Sequence, residues 1–147
     1  LADSRNGFGL LMDFPSILLK MNRAEFCAMA GLPEQADLTT LTHRLSSWVE
    51  QHERSVFVTL AAEGILGAAP GQAPAWKPAL PVRGPVDIVG AGDSVTAALG
   101  LALAAGAALG EALELAMLVA SITVHKLGTT GTASPGEIAT LHATLHP

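Results

Sequence analysis

Gly84-Pro85-Val86-Asp87-Ile88-Val89-Gly90-Ala91-Gly92-Asp93-Ser94-Val95 is the stretch on which the reading of this 147-residue chain turns. Two glycines let the backbone turn tightly and let N–H groups converge on an anion with no Cβ in the way. The first turn of the helix expected next adds unpaired donors and a favourable dipole, so the segment suits a phosphate. Asp93 is out of place there, because a carboxylate beside a phosphate is repelled unless it accepts a proton, holds a cation or caps the helix. A general base aimed at a hydroxyl nucleophile resolves the conflict. It takes the hydroxyl proton as the alcohol attacks a γ-phosphoryl group, while the backbone donors stabilise the charge that develops on the transferred oxygens. The alternative makes Asp93 a cap and Gly92 a turn residue.

Upstream of this stretch, the apolar run from Ile17 to Lys20 reads as a buried strand, and Asn22 to Met29 as a short helix ended by Gly31 and Pro33. Leu38, Leu41, Leu45, Trp48 and Val49 recur at helical spacing through Leu38 to His52. Val56 to Leu60 is the compact apolar run of a central strand in a layered α/β fold. Gly64 to Ala69 and Ala75 to Val82 flank a Pro70-Gly71-Gln72 turn, which predicts a hairpin or a pair of edge strands, and Pro74, Pro78 and Pro81 favour the edge.

Val86 to Val89 is a brief extended run, and Gly90 opens a small-residue helix to about Ala105. A second helix runs from Glu111 to about His125. A third starts with Ser134 as N-cap, Pro135 in its first turn and Glu137 three residues after the cap. The order predicts an α/β fold with a mostly parallel sheet flanked by helices, as one domain over 1–147.

Composition removes several function classes. A formal charge of -5 with scattered Lys and Arg leaves no basic footprint for nucleic acid or an anionic membrane surface. Val95 to Leu109 is apolar but shorter than the about 20 residues needed to span a bilayer, so it reads as buried helix. Cys27 is the single cysteine, fits a reducing compartment and reads as an inert, partly buried thiol. The five histidines form no recognised zinc-ligand spacing. A dinucleotide fingerprint needs a third glycine where Val95 stands, and no Lys-Ser or Lys-Thr pair of a P-loop occurs.

Asp87-Ile88-Val89-Gly90-Ala91-Gly92-Asp93-Ser94 resembles the C-terminal signature of the PfkB, or ribokinase-like, family of carbohydrate kinases. Lys20-Met21-Asn22-Arg23-Ala24-Glu25 resembles that family's Lys-Pro-Asn-x-x-Glu element, and Val58 to Gly64 its strand followed by a glycine turn. The stretch from Ala120 to Gly131 and the segment Asp3-Ser4-Arg5 extend the likeness toward the heptose-kinase-like branch, so that it covers nearly the whole chain.

The resemblance implies the C-terminal, nucleotide-binding portion of a ribokinase-like three-layer sandwich. It implies Asp93 as general base and Gly90, Ala91 and Gly92 as anion hole. Asn22 and Glu25 take a magnesium-linked role, partly through water, and Thr59 and Gly64 line the nucleotide side. Met117 stands where the family's helix often presents Asn near the nucleotide, Met21 where Pro is common, and Ala61 where Gly is frequent.

The expected cofactors are ATP and Mg2+, the expected acceptor a sugar or sugar phosphate, and the expected compartment the cytoplasm. The family's N-terminal half, which carries most of the sugar site, is the expected missing partner, with no nucleic-acid or membrane partner. A homodimer through the alanine-rich helices stays open. So does a second function, a catalytically weak nucleotide- or sugar-phosphate-binding regulatory module.

Overall fold

The computed structural model describes residues 1–3, 11, 13–14 and 16–146, so Ser4 and Arg5 of the Asp3-Ser4-Arg5 segment lie outside the described residues. The chain divides into two compact units, Leu1–Trp76 and Lys77–Pro147.

The sheet has strands β1 (Ala2–Asp3), β2 (Leu19–Asn22), β3 (Val56–Thr59), β4 (Ile65–Ala68) and β5 (Ala75–Lys77), in that spatial order, and belongs to the first unit except for Lys77, the first residue of the second. β1 pairs with β2 and β2 with β3 in parallel, while β3 pairs with β4 antiparallel. The parallel step from β2 to β3 is crossed by helices α1 (Arg23–Ala30) and α2 (Leu38–His52), as a parallel pair requires. β4 and β5 are the expected sheet-edge pair, with Gly71 at φ 69 in the turn between them.

Register and period together decide the core. Leu19 stands beside Val56 and Met21 beside Val58, and across the next pair Val56 meets Ala68 and Val58 meets Leu66. These six share one face of the sheet and one apolar cluster with Phe26 and Cys27 of α1 and Leu41, Leu45, Trp48 and Val49 of α2. Phe57, between two of them on the opposite face, is also buried, so β3 is apolar on both faces as a central strand demands.

The helix ends follow their local chemistry. Asp37 caps α2 by accepting the Thr40 N–H at 2.7 Å. Gly31 ends α1 in the left-handed region at φ 68, a conformation in which a Cβ is costly.

The second unit consists of α3 (Ala91–Ala104), α4 (Leu109–Val124) and α5 (Pro135–Leu145). α3 buries Val95, Ala98, Leu99 and Ala102, a stripe at helical spacing, and packs on α4, which buries Leu109, Ala112, Leu113 and Ala116. α5 opens with the expected capping box between Ser134 and Glu137. No helix among the described residues is long and apolar enough to cross a membrane.

Candidate active site

In the first unit, four of the expected site residues collect at one end of the parallel strands. Asn22 and Thr59 are register partners in the final positions of β2 and β3. Carboxyl ends of parallel strands are where open α/β sheets take their ligands. Thr59 Oγ1 donates to the Met21 carbonyl at 3.4 Å, a long contact that holds the hydroxyl beside the backbone of β2.

Asn22 is also the N-cap of α1. Its Oδ1 accepts the Glu25 N–H at 2.9 Å, and Glu25 Oε2 accepts the Asn22 N–H at 2.7 Å. Both members of the expected metal-side pair therefore close a capping box. Glu25 keeps its second carboxylate oxygen outside that box. One amide oxygen and one carboxylate oxygen make the hard donor set that Mg2+ takes.

A short turn at Ala61–Glu63 leads to Gly64, whose φ of 104 and ψ of -137 lie where only glycine is comfortable. The Leu60 N–H donates to the Gly64 carbonyl at 2.8 Å, closing this loop at the end of β3. Arg23 reaches across to it, with Nη2 2.6 Å from Glu63 Oε1. That pair is a charge contact outside hydrogen-bond geometry. The same guanidinium donates from Nη1 to the Ala36 carbonyl at 3.0 Å.

The second unit holds Gly90, Ala91, Gly92 and Asp93 together at the start of α3. Gly90 is its N-cap at φ 80, and the Ala91 N–H is taken by the Ile88 carbonyl at 3.2 Å. The Gly92 and Asp93 N–H groups, next in the first turn, meet no backbone carbonyl among the described residues. They are the unpaired donors that a helix start offers an anion. Asp93 is exposed, and its carboxylate accepts no hydrogen bond among the described residues. A capping aspartate accepts a backbone N–H, as Asp37 does on α2.

Asp87 is a residue that sequence reasoning quoted without a role. Its Oδ1 accepts the Val89 N–H at 3.0 Å and its Oδ2 the Gly128 N–H at 3.2 Å. The loop is further fastened by the Asp87 N–H on the Val124 carbonyl at 2.8 Å and the Arg83 N–H on His125 Nε2 at 2.9 Å. Val86 to Val89 pairs with no strand among the described residues; these bonds, rather than a β-ladder, deliver the chain to Gly90. Met117 lies on α4 and is 8% exposed.

The family model described as pfkB family carbohydrate kinase matches residues 15–135. The bifunctional protein HldE of Pectobacterium atrosepticum is 38% identical over 122 residues, covering 82% of this chain and 25% of the relative. The HldE of Chromohalobacter salexigens is 37% identical over 130 residues, 88% of this chain and 26% of the relative. This chain thus spans about a quarter of the length of those relatives.

Among solved structures, phosphofructokinase-2 of Escherichia coli in complex with substrates and products superposes with a TM-score of 0.83 at 25% identity. It covers 99% of this chain and 47% of that one. Ribokinase of Arabidopsis thaliana, complexed with ribose and ATP, gives 0.77 at 25% identity, with 89% and 42% covered.

Proposed function

The chain belongs to the pfkB family of carbohydrate kinases, and we propose that the polypeptide carrying it transfers the γ-phosphoryl group of ATP to a hydroxyl of a sugar or sugar phosphate. The observation that carries this reading is the exposed Asp93 carboxylate without a partner among the described residues, directly after the Gly90 turn and beside the open Gly92 and Asp93 N–H groups. A simple anion binder gains nothing from a negative charge at that position.

Asp93 takes the proton of the acceptor hydroxyl as its oxygen attacks the γ-phosphorus. The Gly92 and Asp93 N–H groups hold the phosphoryl oxygens on which charge accumulates. Asn22 Oδ1, which also accepts the Glu25 N–H of the capping box, and the Glu25 oxygen outside that box would hold Mg2+, in part through water. A cation held there would supply positive charge against the phosphates. Thr59 and Gly64 border the nucleotide, and Asp87 positions the Gly90 loop by tying it to Gly128.

The acceptor pocket belongs to the remainder of the kinase fold, for which a heptose or heptose phosphate is the first acceptor to test. The experiment is ADP release by the polypeptide that carries this chain, with ATP, Mg2+ and a panel of sugars and sugar phosphates. Acceptor-dependent release supports the kinase reading. Nucleotide binding without turnover on any acceptor supports the regulatory module instead.

A further inference from the structure

Glu114 on α4 has its two carboxylate oxygens turned to different neighbours. Lys77 Nζ lies 2.7 Å from Oε2, and His146 Nε2 lies 2.9 Å from Oε1. His142 Nε2 stands 3.8 Å from that same Oε1. His142 and His146 are four residues apart on α5 and so project from one face of it, with ring centroids 4.6 Å apart. The three ligand-type atoms lie within 4.8 Å of one another.

An ion pair with His146 accounts for one imidazole. It leaves the second unexplained, because the His142 ring makes no hydrogen bond among the described residues. Two imidazole nitrogens converging on one carboxylate oxygen make a nitrogen-rich donor set.

We propose that Glu114, His142 and His146 form a binding site for a divalent transition-metal ion of the Zn2+ type, which fastens α5 to α4. Tetrahedral zinc with imidazole and carboxylate ligands places its donor atoms about 3.4 Å apart. The observed separations of 2.9 and 3.8 Å bracket that value, so shifts of a few tenths of an ångström in half-exposed side chains complete the geometry.

Lys77 occupies Oε2, and Oε1, which meets His146 Nε2 at 2.9 Å, is the oxygen turned to both imidazoles. Two nitrogens and one oxygen suit borderline ions and not Mg2+ or Ca2+, which prefer oxygen throughout. The site is therefore independent of the proposed Asn22 and Glu25 pair. The fourth position faces solvent and takes water.

The test is calorimetric titration of Zn2+ into the nucleotide-free protein at neutral pH, with Co2+ as a spectroscopic probe. One equivalent is expected to bind, with the intense visible absorption of four-coordinate Co2+. His142→Ala, His146→Ala and Glu114→Gln should each weaken Zn2+ binding by more than the about 10–100-fold lost with an outer-sphere partner. His43→Ala, on a different helix in the other unit, should leave affinity unchanged. All three site residues are at least partly exposed, and circular dichroism confirms that their variants fold. Absence of saturable binding in the unsubstituted protein, or undiminished affinity in any of the three variants, overturns the site.

Discussion

A Cβ placed on Gly90 would stand 3.0 Å from the Thr130 methyl carbon, and Gly90 itself sits at φ 80. Gly90→Ala therefore meets two separate costs. The left-handed conformation costs about 1–2 kcal/mol for a residue with a Cβ, and the Thr130 methyl has to yield by a few tenths of an ångström. The expected result is a lower melting temperature together with a weaker nucleotide affinity, because the N–H groups that follow are displaced. Adding Thr130→Ser removes the methyl and should recover only part of the stability. Full recovery in the double variant would show that φ is not limiting.

Ala61 lies at φ 52 in an exposed turn. Ala61→Gly relieves a left-handed alanine worth about 1–2 kcal/mol and adds about 0.5–1 kcal/mol of chain entropy to the unfolded state. A net gain of about 0.5–1 kcal/mol is expected, read as a higher denaturant midpoint at unchanged m-value. An unchanged or lower midpoint would remove the strain argument.

Glu25→Gln separates the two duties of Glu25. Glutamine still accepts the Asn22 N–H, so the capping box and the melting temperature should be nearly preserved. The lost charge should weaken Mg2+ binding in the presence of ATP by about 10–100-fold, as expected of a partly water-mediated ligand. Unchanged Mg2+ dependence of nucleotide binding would confine Glu25 to the cap.

Acid should loosen the second unit in a defined window. The Glu137 carboxyl is held down to about 2 from an ordinary 4.5, first by its bond to Lys126 and then by the backbone and hydroxyl of Ser134. A folded-state value below the unfolded one gives stability that is fully present above the ordinary value and lost as pH falls toward the lowered one. Glu114, on Lys77 and His146, is lowered in the same direction. The melting temperature should fall as pH drops from about 4.5 toward 2, and Glu137→Gln should decline less steeply over that range. An equally steep decline in the variant would assign the acid sensitivity elsewhere.

The parts of the fold legible in the sequence were those set by local signals. Leu38 to His52 shows its apolar period, and α2 has those same bounds. Asn22 and Glu25, three apart, announce the start of α1. Val86 to Val89 looked like an extended run by composition, yet Ile88 is 76% and Val89 69% exposed, and the Val89 N–H goes to the Asp87 carboxylate, which also takes the Gly128 N–H.

Such a clamp is invisible along the chain, since Gly128 comes 41 residues later. His142 and His146 stand four apart, but the pair was not read as ligands for a related reason. The carboxylate that meets His142 and His146 stands on the preceding helix, and only packing of α4 on α5 brings it there. The glycine turn at Gly90 and the start of α3, by contrast, were legible because a helix start is built from consecutive residues.

The base assignment is tested most directly by Asp93→Asn in the polypeptide that carries this chain, assayed at saturating ATP and acceptor. Nucleotide affinity and a thermal melt are measured on the same preparation. Asp93 forms no capping bond among the described residues and is exposed, so asparagine should leave the melt and the affinity nearly unchanged. The account predicts a fall in kcat of about 10²- to 10⁴-fold, the usual value of a general base. A folded Asp93→Asn protein that turns over at close to the original kcat would contradict it.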